Sequence, residues 1–153
     1  MSLIIATGSN LGDSIKQLQQ AADQLSKHFS LIAKSRIYTS KAVDYTNQPD
    51  FHNQVLEFET PDITPANCMS LLLKIEEKLG RKRDIPRGPR NIDIDILFFD
   101  TIESSDPHII LPHPRLFDRS FVVLPLKELP YFNILQKHYD FPTKFDNEAF
   151  PKD

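Results

Sequence analysis

A chain of 153 residues, 40% hydrophobic and 25% charged, has the composition of an ordinary globular domain able to bury a core. Its net charge of −3 and the absence of an aromatic-rich RNP pattern weigh against nucleic acid as a partner. Its one cysteine, Cys68, excludes an internal disulfide; no apolar run is long enough to span a membrane, and the start lacks a basic-then-apolar leader. The expectation is therefore a cytoplasmic protein with no membrane partner, and a Cys68 thiol packed in a core.

Leu3 to Thr7 is a short apolar run ending in Gly8-Ser9-Asn10, which predicts a buried strand and a turn. Asp13 or Ser14 can cap a helix whose apolar stripe is Ile15, Leu18, Ala22, Leu25 and Phe29. Leu31 to Tyr38 reads as a second strand, and residues 52 to 60 as a third, because Val55, Glu57 and Glu59 alternate with Leu56 and Phe58. Thr64-Pro65 is an N-cap and N1 pair that opens a helix through Leu71, Leu72, Ile75 and Leu79 and stops at Gly80. Residues 91 to 99 form a fourth strand.

The order β-α-β-β-α-β predicts an α+β, ferredoxin-like arrangement, with a four-stranded antiparallel sheet and both helices on one face. The other face is left for ligands or the C-terminal segment. Seven of the twelve prolines follow residue 106, so that region is expected to be irregular, with short helices at most. Residues 1–153 are expected to form a single domain. The links near 39–50 and 80–91 are long for so small a domain, as binding loops are.

In the fourth strand, Asp93 and Asp95 project to one face and Ile92, Ile94 and Ile96 to the other. The two aspartate Cα atoms would lie roughly 6.5 Å apart, close enough to share a metal ion or a pair of them. Aspartate is depleted in strand interiors. A half-exposed strand with its polar side outward gives the same pattern, so the strand alone leaves the reading open. The preceding segment, residues 80–90, carries five cations and one anion in a Gly- and Pro-marked loop. Arginines there can close over a polyphosphate, and hard carboxylate oxygens suit Mg²⁺. Loop and strand together favour a site for an anion and a metal.

The stretch Gly80-Arg-Lys-Arg83 through Gly88-Pro-Arg90 and Asp93-Ile-Asp-Ile-Leu-Phe-Phe99 resembles the signature of the 6-hydroxymethyl-7,8-dihydropterin pyrophosphokinases of folate biosynthesis. Ala6-Thr-Gly-Ser-Asn-Leu11, Gln48-Pro-Asp-Phe-His-Asn53, Leu111-Pro-His-Pro-Arg115 and Arg119-Ser-Phe121 resemble other segments of that family, in order, so the likeness covers roughly residues 4 to 126. It implies transfer of pyrophosphate from ATP to the pterin hydroxymethyl group, releasing AMP, with two Mg²⁺ ions held by Asp93 and Asp95. By the same resemblance, Arg81 and Arg90 join the two aspartates as catalytic residues. Glu76, Arg83, Ile96, His113 and Arg119 would bind ATP. Ser40, Val43, Phe51, Asn53 and Phe121 would bind the pterin, with Asn53 reading its edge and the two rings stacking on it. Taken without the resemblance, Phe51 and Phe121 would be core residues, and Glu76 an exposed helix position.

The chain departs from the family pattern in places. Pro86-Arg87 stands for a common Arg-Trp, Phe51 for a frequent Tyr, and Lys41-Ala42 for a Pro-Pro. Leu73 replaces a polar residue, and Pro114 an aromatic one. These changes bear on loop dynamics and affinity. A P-loop kinase is excluded because no G-x-x-x-x-G-K-[ST] occurs. The competing readings are a metal-dependent phosphoesterase and a non-catalytic ferredoxin-like binding module. The expected oligomeric state is a monomer.

Overall fold

The computed structural model describes residues 1–41, 48–80 and 91–152. Strand β1 (Ser2–Ser9) leads through Gly12, at φ +64°, into helix α1 (Ser14–Ser26). Asp13 caps α1, its side chain accepting the Lys16 N–H. Strands β2 (Leu31–Lys34), β3 (Tyr38–Ser40) and β4 (Phe51–Glu59) follow, then helix α2 (Pro65–Lys78). Thr64 caps α2, and Gly80 at φ +86° ends it. Strand β5 (Asp93–Phe99), a hairpin of β6 (Ser104–Asp106) and β7 (Ile109–Leu111), helices α3 (Ser120–Leu126) and α4 (Phe132–His138), and strand β8 (Ala149–Pro151) complete the chain.

The main sheet runs β5-β1-β4-β3-β8, with β2 also paired to β4, and its pairings are antiparallel. This is the ferredoxin-like α+β arrangement that the element order predicts. Helices α1 and α2 cover one face, packing Leu18, Leu25, Cys68 and Leu72 on Leu3, Ile5, Leu56, Phe58, Ile94 and Ile96. Cys68 is fully buried, as expected of a packed thiol, and burial pushes it up to about 12.

Three expectations need correction. The second strand is interrupted at residues 35–37, which divides it into β2 and β3. Ser35 is responsible: its Oγ accepts the Val55 N–H and donates to the Arg36 carbonyl, while Gln54 donates to the Ser35 carbonyl. Side-chain bonds thus replace part of the ladder. In α1 it is Ala21, not Ala22, that reaches the centre of the buried stripe. The third concerns the C-terminal segment. Its helices α3 and α4 are short and cover the second face of the sheet, as expected, but β8 joins the sheet edge, so that with the divided second strand the sheet has six strands instead of four.

A bulge in β5 equips that second face. The β1 partner steps from Ile5 opposite Ile96 to Ile4 opposite Phe98, leaving Leu97 as the extra residue. Leu97 and Phe98 therefore both pack under α3 and α4, with Ile4, Val55, Val122 and Leu126. Towards the other end of β5 this layer stops short, and the sheet there faces an open cavity.

Candidate active site

The cavity is a cleft open to solvent at its mouth. Its floor is the sheet: Ala6, Thr7 and Gly8 of β1, Phe51, Asn53 and Gln54 of β4, and Asp93, Asp95 and Leu97 of β5. Its wall is the segment from His113 to Val122. Antiparallel pairing brings Gly8 opposite both Asn53 and Asp93, so residues 40 positions apart in sequence become near neighbours.

At one end stand the carboxylates. Asp93 and Asp95 are half-buried on the cavity face, while Ile92, Ile94 and Ile96 are buried on the other, as the period-two reading predicts. Facing the aspartates are His113, Arg115 and Arg119. The His113 N–H donates to the Leu97 carbonyl at 3.0 Å, which anchors this wall to the bulge of β5. Burial, and then Arg119, hold the His113 ring at about 4, with Asp93 acting in the opposite direction. The ring is neutral at pH 7. The Arg115 N–H donates to its Nδ1 at 3.3 Å, leaving the ring proton on Nε2 as a donor for an anionic oxygen.

The other end combines aromatic and polar side chains. Phe51 and Phe121 both line it, each partly exposed, with Phe121 also packed against the second core. The Arg119 guanidinium lies 5.7 Å from the Phe121 ring centre. Asn53, 7% exposed, donates from Nδ2 to Ser40 Oγ at 2.9 Å. That bond orients the amide and leaves its carbonyl and second N–H for a ligand. Asn10 Nδ2 donates to Gln48 Oε1 at 2.8 Å and to the Pro49 carbonyl at 3.0 Å, holding the end of the long link beside the cavity.

The structure thus brings together Asp93, Asp95, His113, Arg119, Ser40, Phe51, Asn53 and Phe121. Glu76 and Ile96 are placed elsewhere, on the helical side. Glu76 is buried, not exposed, and its Oε2 accepts the Ile94 N–H at 2.7 Å. Since β5 ends the sheet path, this bond lies on its outer edge, to which Ile96, two residues on, also turns its peptide groups. Val43, Arg81, Arg83 and Arg90 lie outside the described residues. Sequence reasoning passed over Arg115, although it ends the quoted Leu-Pro-His-Pro-Arg segment, and Gln48 and Gly8, whose roles depend on what they face.

A family model described as 7,8-dihydro-6-hydroxymethylpterin-pyrophosphokinase matches residues 4–131. The chain belongs to this family. Its relatives include 2-amino-4-hydroxy-6-hydroxymethyldihydropteridine pyrophosphokinase of Bacillus subtilis strain 168, 39% identical over 82% of this chain and 75% of that protein. The enzyme of the same name from Aquifex aeolicus is 34% identical over 94% of this chain and 88% of its own. The mitochondrial folate synthesis bifunctional protein of Arabidopsis thaliana is 36% identical over 83% of this chain but only 23% of its own length. The cavity is accordingly the candidate active site of a pterin pyrophosphokinase, an enzyme of folate synthesis. Among the described residues, no helix is long and apolar enough to cross a membrane.

Proposed function

We propose that the protein transfers the terminal pyrophosphoryl group of ATP to the hydroxymethyl oxygen of 6-hydroxymethyl-7,8-dihydropterin, with Mg²⁺, giving the pterin diphosphate and AMP. The observation that carries this reading is the two-ended cavity. Paired carboxylates share the cavity with His113, Arg115 and Arg119 and with an oriented amide and two aromatic side chains. A phosphoesterase would need the first end only, and a simple binding module would need no paired aspartates.

The donor set fits Mg²⁺. Asp93 and Asp95, side by side on the cavity face of β5, would supply the protein ligands. Mg²⁺ is usually held by one or two carboxylates and completed by phosphate oxygens and water. Two ions bound there would supply charge neutralisation on the phosphates and acidify the attacking hydroxyl.

The chain's own part is positioning and charge compensation. Asn53 reads the pterin edge, and Phe51 and Phe121 hold the ring, so that its hydroxymethyl group points toward the aspartate end. Arg115, Arg119 and the Nε2–H of His113 take the phosphate oxygens. By the family resemblance, Arg81 and Arg90 would take part in catalysis, Arg83 would bind the nucleotide phosphates, and Val43 would contribute to the pterin site. The adenine lies against the outer edge of β5, bordered by Ile96 and its backbone, with Glu76 beside it. The protein works as a cytoplasmic monomer, with residues 1–153 as one catalytic domain.

Incubation with ATP, Mg²⁺ and the pterin, followed by separation of nucleotides, tests this reading. Pterin-dependent AMP without ADP or free pyrophosphate is expected. ADP would mean ordinary phosphoryl transfer, and pterin-independent AMP with pyrophosphate would mean hydrolysis; either overturns the proposal.

A further inference from the structure

We infer that Asn147, in the segment beyond the family match, is a positioning residue that holds Arg119 and Phe121 in the active site from outside it. The inference rests on the function proposed above.

Helix α3 begins in an unusual way. Its N-cap position is Arg119, which makes no side-chain cap bond, although such positions favour Ser, Thr, Asp or Asn. The arginine side chain is turned to the cavity instead. The missing acceptor comes from 27 residues away: Asn147 Oδ1 accepts the Ser120 N–H at 2.8 Å and the Ser120 Oγ–H at 2.5 Å. The Asn147 amide then donates from Nδ2 to the Asp118 carbonyl at 2.8 Å. One side chain thus grips the backbone on either side of Arg119, immediately before Phe121. A capping residue at 119 itself would free Asn147 from this task, but would leave the phosphate end without its arginine.

The same tail holds the opposite wall. Two residues after Asn147, β8 pairs with β3, placing Ala149 opposite Ser40, and the Lys152 N–H donates to the Ile37 carbonyl at 2.8 Å. Ser40 in turn orients Asn53. Residues 147–152 therefore tie the α3 wall to the sheet floor and set the spacing between the groups that hold the pterin.

The test is steady-state kinetics of the full chain carrying Asn147→Ala or Asn147→Asp, with ATP and pterin varied separately and melting followed in parallel. Asn147→Ala is expected to raise the KM for pterin about tenfold, with kcat changed less than about threefold, as the loss of a positioning bond would do. Asn147→Asp keeps the acceptor for Ser120 and is expected to recover most of that loss. An unchanged pterin KM in Asn147→Ala, whatever happens to its melting temperature, overturns the inference, because a purely structural contact moves stability alone. If Asn147→Ala does not fold, Ser120→Ala removes one of the three bonds from the other side. A pterin KM raised by about two- to fivefold then supports the clamp, and an unchanged one overturns it. Absence of pterin-dependent AMP from the wild-type chain would instead remove the proposed function, which the same assay reports separately.

Discussion

A Cβ added at Gly8 would stand 3.1 Å from Asn53 Oδ1 and 3.8 Å from Phe51 Cδ1. Glycine is needed there for closeness, so that the β1 backbone can pass beneath the Asn53 amide proposed to read the pterin. Gly8→Ala is expected to displace that amide and raise the pterin KM about tenfold, leaving ATP binding little changed, as separate titrations of the two ligands would show. Asp95 behaves differently, since its side chain meets the cavity and carries little of the core. Asp95→Ala should lower kcat by about 10³-fold or more while the melting temperature stays near that of the wild type. Normal turnover in that variant would remove the metal assignment. The aspartate face was legible because strand geometry alone separates odd from even residues. The tautomer of His113 was not, because it depends on a bond from the Arg115 backbone that only the folded turn creates.

Among the elements, β4 shows how one strand serves two layers. Its Leu56 and Phe58 pack under α1 and α2, while Val55 and Glu57 face the C-terminal layer. Glu57, a polar residue of the alternating pattern, is only 3% exposed because that layer covers it. One carboxylate oxygen accepts the Ser2 Oγ–H at 2.9 Å and the other the Tyr131 N–H at 3.0 Å. Glu57→Ala leaves both donors buried and opens a void, and it should cost about 3 kcal/mol in urea unfolding. A second tie joins β3 to the end of α3: Glu128 accepts from Tyr38 Oη, from the Arg36 N–H at 2.9 Å and from its Nε at 3.0 Å. Both ties hold the wall that carries the site, and both partners of each lie far apart in sequence.

For the whole molecule, the same packing couples stability to pH. His52 projects beside Phe51 and Asn53 but on the helical side, with Nδ1 2.5 Å from Ser14 Oγ at the start of α1. Burial, and then Lys152 of the tail, lower its pKa, while Asp50 acts in the opposite sense. The folded protein therefore binds this proton less readily than the unfolded chain, whose histidine titrates near the ordinary value of about 6.5. The corresponding stability is fully present above that pH and is lost as pH falls below it toward the folded value. Melting temperatures should fall between pH 7.5 and 5.5, where His113, held at about 4, acts in the same direction, and His52→Gln should reduce that dependence without abolishing it. An equal slope in the variant would assign the effect to other groups.

Local periodicity and capping signals in the sequence determined the order of the main elements as far as β5, the burial of its isoleucines and the shared face of its two aspartates. These are properties of neighbouring residues, so a linear reading reaches them. The resemblance carried in the ordered motifs named the family and eight of the residues that line the cavity. What only the tertiary structure decided is how the two ends of the cavity are held together. The bulge at Leu97, the break at Ser35, the cover over Glu57 and the grip of Asn147 on Ser120 arise where distant segments meet. No spacing along the chain records such bonds, because each is specified by the register of the sheet and by the layer that folds back upon it.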